Sequence, residues 1–261
     1  MPKENTVKAD YLVATVPLTS ISPERLNVFE ELSTGGKFRR IFGYAGYVKD
    51  NFYVGDNGER LMLQATGSMA DRIWPLIDTT WQGLSVARLD IQLTILVADA
   101  DSVICRTIPS AAYKAIRMVN LGERGSTLYV GSSKSRCRLR MYNKTAEAGE
   151  ERVQDMEKLR IELQTRDDYA DRCLINMHAG SGDMFFRYYV SRMTDGFVTN
   201  LVDRAFQHSD MVSMIDVDTD KPDESRKVWL ENTVLPALAK LSVSDKDYVR
   251  EFLQKIKELL D

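Results

Sequence analysis

Histidine and cysteine are scarce in this chain. Its two histidines, His178 and His208, lie far apart in a sequence of 261 residues, which excludes a site built on three imidazoles and disfavours histidine-pair chemistry. Three cysteines, Cys105, Cys137 and Cys173, are dispersed with no C-x-x-C spacing, which argues against a zinc knuckle or a disulfide framework. No apolar run approaches the roughly 18 residues that cross a bilayer. The opening MPKENTVKAD lacks the apolar stretch of a secretion signal, so a cytoplasmic protein without a membrane partner is expected. No G-x-x-x-x-G-K loop occurs, which speaks against an ATPase or helicase. A formal net charge of −3 offers no bulk attraction to nucleic acid, so any such partner must be recognised through local patterning.

What is present is a globular composition, 44% hydrophobic and 28% charged. The length suits one large domain or two small ones. Residues 1–9 read as a polar tail and Tyr11–Val16 as a strand. Ser22 and Pro23 mark the start of a helix that ends before Gly35 and Gly36. Short strands follow at Tyr44–Lys49, Phe52–Val54 and Arg60–Ala65, then a helix over Ser68–Ile77 and a strand over Leu84–Val97. Pro109 predicts a helix to Asn120, Leu128–Lys144 a single strand, and Asp155–Gln164 a further one. Residues 167–207 read as helical with a break near Gly180–Gly182. The acidic, proline-containing stretch 216–224 reads as a linker, and the remainder as two amphipathic helices, the second striped by Val249, Phe252, Ile256 and Leu259. The expected organisation is an α+β domain over 1–215 and a small helical region over 216–261.

The chemistry is concentrated in Lys134–Lys144. Side chains alternate along a strand, so Lys134, Arg136, Arg138, Arg140, Tyr142 and Lys144 fall on one face and Cys137, Leu139 and Met141 on the other. Like charges along one strand repel, and such a row calls for an anionic partner. Two other segments show the same device: Arg88, Asp90, Gln92 and Thr94 alternate with apolar residues, as do Arg160, Glu162 and Gln164. Together they predict an antiparallel sheet with one helix-packed face and one basic and acidic face. Carboxylates without histidines suit Mg²⁺ or Mn²⁺, and arginines suit phosphate. Asp90 and Glu162 are therefore candidate metal ligands, and the combination points to metal-assisted chemistry on a phosphodiester. For a nucleophile, the helical segment 183–193 offers Tyr188 and Tyr189. A helical wheel puts Tyr188 on the polar side, four residues from Arg192, and Tyr189 among Phe185, Phe186, Val190 and Met193.

Three ordered blocks resemble the replication initiation factors of rolling-circle plasmids and filamentous phages. Ala87–Ile91 is similar to the family's Arg-(Ile/Leu)-Asp strand, and Leu159–Leu163 to its Arg-x-Glu strand. Ser126–Ser135 followed by Leu139–Lys144 is similar to its T-x-Y-x-G-S-x-x-S … R-x-Y-(D/N)-K signature. The resemblance spans roughly residues 40 to 200, with Leu61–Gly67 similar to a short strand upstream. It implies a DNA nicking-joining enzyme that binds an origin hairpin and a single-stranded nick site, forms a 5′-phosphotyrosine and uses a divalent metal. It further implies that Asp90 and Glu162 hold metal or move protons and that Arg140, Lys144 and Arg160 hold phosphate. The family register selects Tyr189 where the wheel prefers Tyr188, and both stay open. The family often carries a further carboxylate near the end of the first strand, where this chain has Thr94. A non-catalytic nucleic-acid-binding protein using the same face is the alternative. A host helicase or a second copy of the chain are further candidate partners.

Overall fold

Alternating apolar and polar residues in the middle of the chain build one large sheet, described by the computed structural model over residues 7–120 and 122–207. The elements are β1 (Lys8–Pro17), α1 (Pro23–Ser33), β2 (Lys37–Ile41), β3 (Tyr44–Lys49), β4 (Phe52–Asp56), β5 (Arg60–Thr66), α2 (Ser68–Ile73), β6 (Ser85–Val97) and α3 (Ala100–Arg106). They continue with β7 (Ile116–Asn120), β8 (Ser126–Val130), β9 (Cys137–Asn143), α4 (Lys144–Ala148), β10 (Glu157–Arg166), α5 (Asp168–His178), α6 (Gly182–Met193) and α7 (Gly196–Gln207). The strands pair antiparallel throughout, in the order β2-β3-β4-β5-β1-β6-β10-β9-β8-β7. The expected α+β class with an antiparallel sheet is the class observed.

One face of this sheet is covered by helices. Leu89, Ile91 and Leu93 of β6, Leu159, Ile161 and Leu163 of β10, and Leu139 and Met141 of β9 are buried. They share one core with Ala170, Cys173 and Leu174 of α5, and with Phe185, Phe186 and Val190 of α6. Each such fully buried aliphatic side chain contributes roughly 1.5–3 kcal/mol over its exposed state. That burial fixes the register, because a slip of one residue would turn the whole apolar set outward. The opposite face of the same strands is thereby committed to the polar set.

Several local expectations are corrected. The helix predicted from Pro109 does not form: Pro109 bridges Thr194, Ser110–Tyr113 make a turn, and Ile116–Asn120 adds to the sheet beside β8. The open edge of β8 offers backbone partners to a segment containing β-branched Ile116 and Val119, and that outweighs the proline signal. The helix lies earlier, in α3, where the Asp99 carboxylate accepts from the Ser102 N–H at 2.9 Å as its cap. The strand predicted over 128–144 is two strands. Gly131, at φ 96°, starts a turn that folds β9 back on β8. Lys134 and Arg136 consequently sit in that turn. Lys144 begins α4, whose cap is the Asn143 side chain, accepting from the Ala146 N–H at 2.9 Å. The row of five cations on one strand is thus reduced to Arg138 and Arg140, with Tyr142 beside them.

Other expectations hold or shift by a few residues. The Ser22 hydroxyl does cap α1, accepting from Arg25 N–H at 3.3 Å. The break near residue 180 separates α5 from α6, and a second break before Gly196 was not anticipated. β1 begins at Lys8, inside the expected polar tail. The exposed β2 carries no burial alternation and gave no signal. The linker and C-terminal helices expected from residue 216, with the Val249 stripe, lie outside the described residues. Among the described residues no helix is long and apolar enough to cross a membrane.

Candidate functional site

The polar face of β6, β10, β9 and β8 is crossed by three rows of side chains fixed by strand register. Thr94, Arg160, Tyr142 and Thr127 form the first, and Gln92, Glu162, Arg140 and Tyr129 the second, which β7 extends with Arg117. Asp90, Gln164 and Arg138 form the third. Seven of the residues singled out in the sequence therefore do share one surface: Arg88, Asp90, Arg138, Arg140, Tyr142, Arg160 and Glu162.

At its centre are two acids, Asp90 and Glu162, each only 3% exposed. Asp90 accepts from Arg88 Nε at 2.9 Å. Glu162 accepts from the Tyr142 hydroxyl at 2.7 Å and from Arg140 Nη1 at 3.4 Å, while Arg140 Nη2 reaches Glu147 at 2.9 Å. Burial pushes Asp90 up to about 6, outweighing the bond from Arg88. Burial also raises Glu162, against the pull of Tyr142 and Arg140. Asp10 adds to both shifts through its charge; a register shift in β1 between Ala9 and Tyr11 inserts it opposite β6. The Tyr142 phenol is pushed up by burial and by its acidic neighbour Glu162, so it remains a donor.

The cations around the acids differ in how well they are matched. Burial disfavours the charge on Arg140, yet Glu162 and its other neighbours hold it firmly protonated. Arg138 is pushed down, first by burial and then by Arg166, Arg140 and Arg117, with only the Tyr129 ring, 4.1 Å away, in its favour. The Nε atoms of Arg138 and Arg140 are buried without hydrogen-bond partners among the described residues. They border a cleft of about 840 Å³ that Arg117, Arg124 and Tyr129 also line, together with Glu123 and Glu147, so that guanidiniums outnumber carboxylates in it. A cleft with this lining favours an anion.

Could the acids hold a cation? Gln92 stands opposite Glu162 and two residues from Asp90, and its Oε1 is buried with no partner among the described residues. Two carboxylates and an orphaned amide oxygen are the hard donors that Mg²⁺ or Mn²⁺ takes, the rest of its shell being water. Among the described residues no three acidic, histidine or cysteine side chains are close enough to form a metal cage.

Of the remaining candidates, Lys134 is in the β8–β9 turn and Arg136 pairs with Asp168 at 2.8 Å, away from the acids. Lys144, at the start of α4, keeps its ammonium 6.0 Å from the Tyr142 ring and pairs at 2.8 Å with Glu147, the partner of Arg140. Tyr188 and Tyr189 do not join the acids. Tyr189 packs on the apolar core and shares a cleft with Cys137, which faces the same side of β9 as Leu139 and Met141. The expected meeting of phenol and carboxylates on one surface therefore fails for α6, because its apolar residues dock the helix on the covered face of the sheet. The helical wheel itself was sound: Tyr188 is 52% exposed, and Arg192 Nη1 donates to its hydroxyl at 3.4 Å.

Several residues of this surface were missed by sequence reasoning. Arg117 was hidden by the false helix, and Asp10 by a bulge that no pattern announces. Tyr11 pairs in register with Asp90 and lies under the Arg88 guanidinium at 4.3 Å. Tyr129 alternates with buried Leu128 and Val130 and is the tyrosine of the T-x-Y-x-G-S block, though that block alone does not mark it as a site residue.

Asp90 has a consequence for pH. Its folded value near 6 lies above that of an unfolded aspartate, about 3.9. Its stabilising contribution is full below about pH 4 and is lost as pH rises through about 6. Urea midpoints measured from about pH 4 to 7 should fall less for Asp90→Asn than for the unaltered protein. Parallel curves would contradict the shift.

Comparison with known proteins bears on the fold and on one segment of the chain. Residues 86–201, from β6 into α7, match the family described as replication initiation factor. No curated protein matches the chain. A solved structure of a rolling circle replication initiator protein from Geobacillus stearothermophilus is similar in fold, with a TM-score of 0.57 at 18% identity over 77% of this chain and 97% of that one. The matched segment holds both buried acids and every arginine that flanks them, and it contains the three sequence blocks in which the resemblance was read.

Proposed function

We propose that the protein is a rolling-circle replication initiator that nicks and rejoins one strand of origin DNA through a 5′-phosphotyrosine. One observation carries this reading: two carboxylates are buried at the centre of a sheet face on which arginines (Arg88, Arg138, Arg140, Arg160 and Arg117) outnumber the acids Asp90, Glu162 and Asp10. A structural ion pair needs no such excess of guanidinium, whereas a bound phosphodiester does.

Arg138, Arg140 and Arg160 hold the scissile phosphate and stabilise the charge that grows on its oxygens during in-line attack. A phenol oxygen forms the new bond to phosphorus as the bond to the 3′-oxygen breaks. The phenol proton passes to solvent, and the departing 3′-oxygen takes up a proton from solvent and leaves as a hydroxyl. Reversal of these steps rejoins the strand without ATP. Asp90, Glu162 and Gln92 would hold the divalent cation, which when bound supplies Lewis-acid stabilisation of the leaving oxygen.

The attacking phenol has to share the acids' face. Tyr142 is committed to Glu162, and the tyrosines of α6 are on the other side of the sheet. Two half-buried phenols remain on the face, Tyr11 and Tyr129, each under a guanidinium. We assign the covalent role to one of them, in place of Tyr188 or Tyr189.

A labelled single-stranded origin oligonucleotide incubated with the protein and Mn²⁺ should yield an adduct on a denaturing gel. Tyr11→Phe or Tyr129→Phe should abolish it. Persistence in both variants would overturn the assignment, and absence of any adduct from the unaltered protein would favour the non-catalytic alternative. Arg138→Ala should weaken binding at low salt and reduce the slope of log affinity against log salt by about one; an unchanged slope would remove Arg138 from the phosphate contacts.

A further inference from the structure

The tyrosines of α6 belong to a second cluster that the chemistry above leaves unused. A cleft of about 530 Å³ on the helix-covered side is lined by Tyr169, Tyr188 and Tyr189 together with Arg136, Arg172 and Arg192. Their rings are close neighbours, Tyr189 being 5.7 Å from Tyr169 and 5.1 Å from Tyr188. Arg136 and Arg172 lie over Tyr169 at 5.3 and 5.6 Å, and Arg192 over Tyr188 at 5.7 Å. Asp168 is the carboxylate that pairs with Arg136, at 2.8 Å, and with Arg172, at 3.6 Å. The cleft therefore has an excess of positive charge beside an exposed phenol ring.

We propose that this cleft binds an unpaired stretch of DNA, with bases stacked on the Tyr188 and Tyr169 rings and phosphates held by Arg136, Arg172 and Arg192. The inference rests on the reading that the protein acts on DNA. Rings flanked by guanidiniums suit any nucleobase, since every base has a π-face, and the phosphates take the cations. The cleft is also joined to the acid-bearing face around the end of the strands. Arg166, opposite Arg88 in the β10–β6 register, donates its backbone N–H to the Arg136 carbonyl at 2.8 Å, and its guanidinium to the Ser133 carbonyl. Arg88, Arg166 and Arg136 thus trace a cationic path from one face to the other. A strand bound at Asp90 and Glu162 can follow it over the sheet end to the tyrosines.

The roles of stacking ring and attacking hydroxyl make opposite demands on one substitution. Phenylalanine keeps the ring and loses the hydroxyl. Burial also raises Tyr189, which suits a ring that packs rather than one that ionises.

The test uses the full chain and fluorescence anisotropy with two single-stranded oligonucleotides of origin sequence. One covers about 6 nucleotides around the nick, and the other extends about 10 further, within the span a stacking groove accommodates. Tyr188→Ala should weaken binding of the long oligonucleotide between about fivefold and a hundredfold. It should leave the short one bound as in the unaltered protein, which also shows that the variant is folded. Tyr188→Phe should restore the long oligonucleotide's affinity and its adduct. Equal affinity of Tyr188→Ala and the unaltered protein for the long oligonucleotide would overturn the proposal. So would a loss as large in Tyr188→Phe as in Tyr188→Ala, or competition by an acidic peptide as effective as by DNA. Failure of the DNA reading is distinguishable, because then the short oligonucleotide does not bind the unaltered protein either, and the proposal falls with it.

Discussion

Asp90 and Glu162 are buried on central strands, and the rest of the site follows from what it takes to keep them there. Removing a carboxylate from water costs several kcal/mol even after a protein relaxes around it. The chain meets that cost with Arg88 from Asp90's own strand and with Arg140 and Tyr142 from β9, the neighbour of Glu162's strand. The compensation is partial, since burial still raises both acids above their ordinary range. A surface in which acids are short of positive charge at the centre, while Arg138 nearby is short of negative charge, is complementary to a cation and a phosphate bound together. Either ligand alone would satisfy half of it.

The sheet makes this arrangement possible because its two faces have separate duties. Packing of the helices over the aliphatic face sets the register, and the register places groups distant in sequence in single rows. Gln92, Glu162, Arg140, Tyr129 and Arg117 come from five strands and stand side by side. The same division explains why α6 brings its tyrosines to the wrong side for attack on a phosphate held at the acids. Phe185, Phe186, Val190 and Met193 need the core, and the core is on the covered face.

Much of this was legible from alternation. The polar sets at Arg88–Thr94 and Arg160–Gln164 sit on one face as their period of two requires, and the antiparallel class follows from them. Failure came where the pattern was continuous but the backbone was not. Lys134–Lys144 alternates perfectly, yet a turn begins at Gly131 and a helix at Lys144, so Lys134 and Arg136 leave the face and Lys144 reaches it only from a helix end. The misplaced helix at Pro109 shows the other limit, for an open sheet edge recruits a segment whose own propensities point elsewhere. Asp10 and the conflict over the tyrosines depend on tertiary placement, a bulge in one case and helix docking in the other. Neither leaves a mark in local sequence.

The proposed chemistry requires the two buried acids to act as one cation site. Titration of the full-length protein with Mn²⁺, followed by electron paramagnetic resonance of the free ion, measures that directly and without DNA. Saturable binding that is lost in both Asp90→Asn and Glu162→Gln is expected. Undiminished Mn²⁺ binding in the two variants would contradict it.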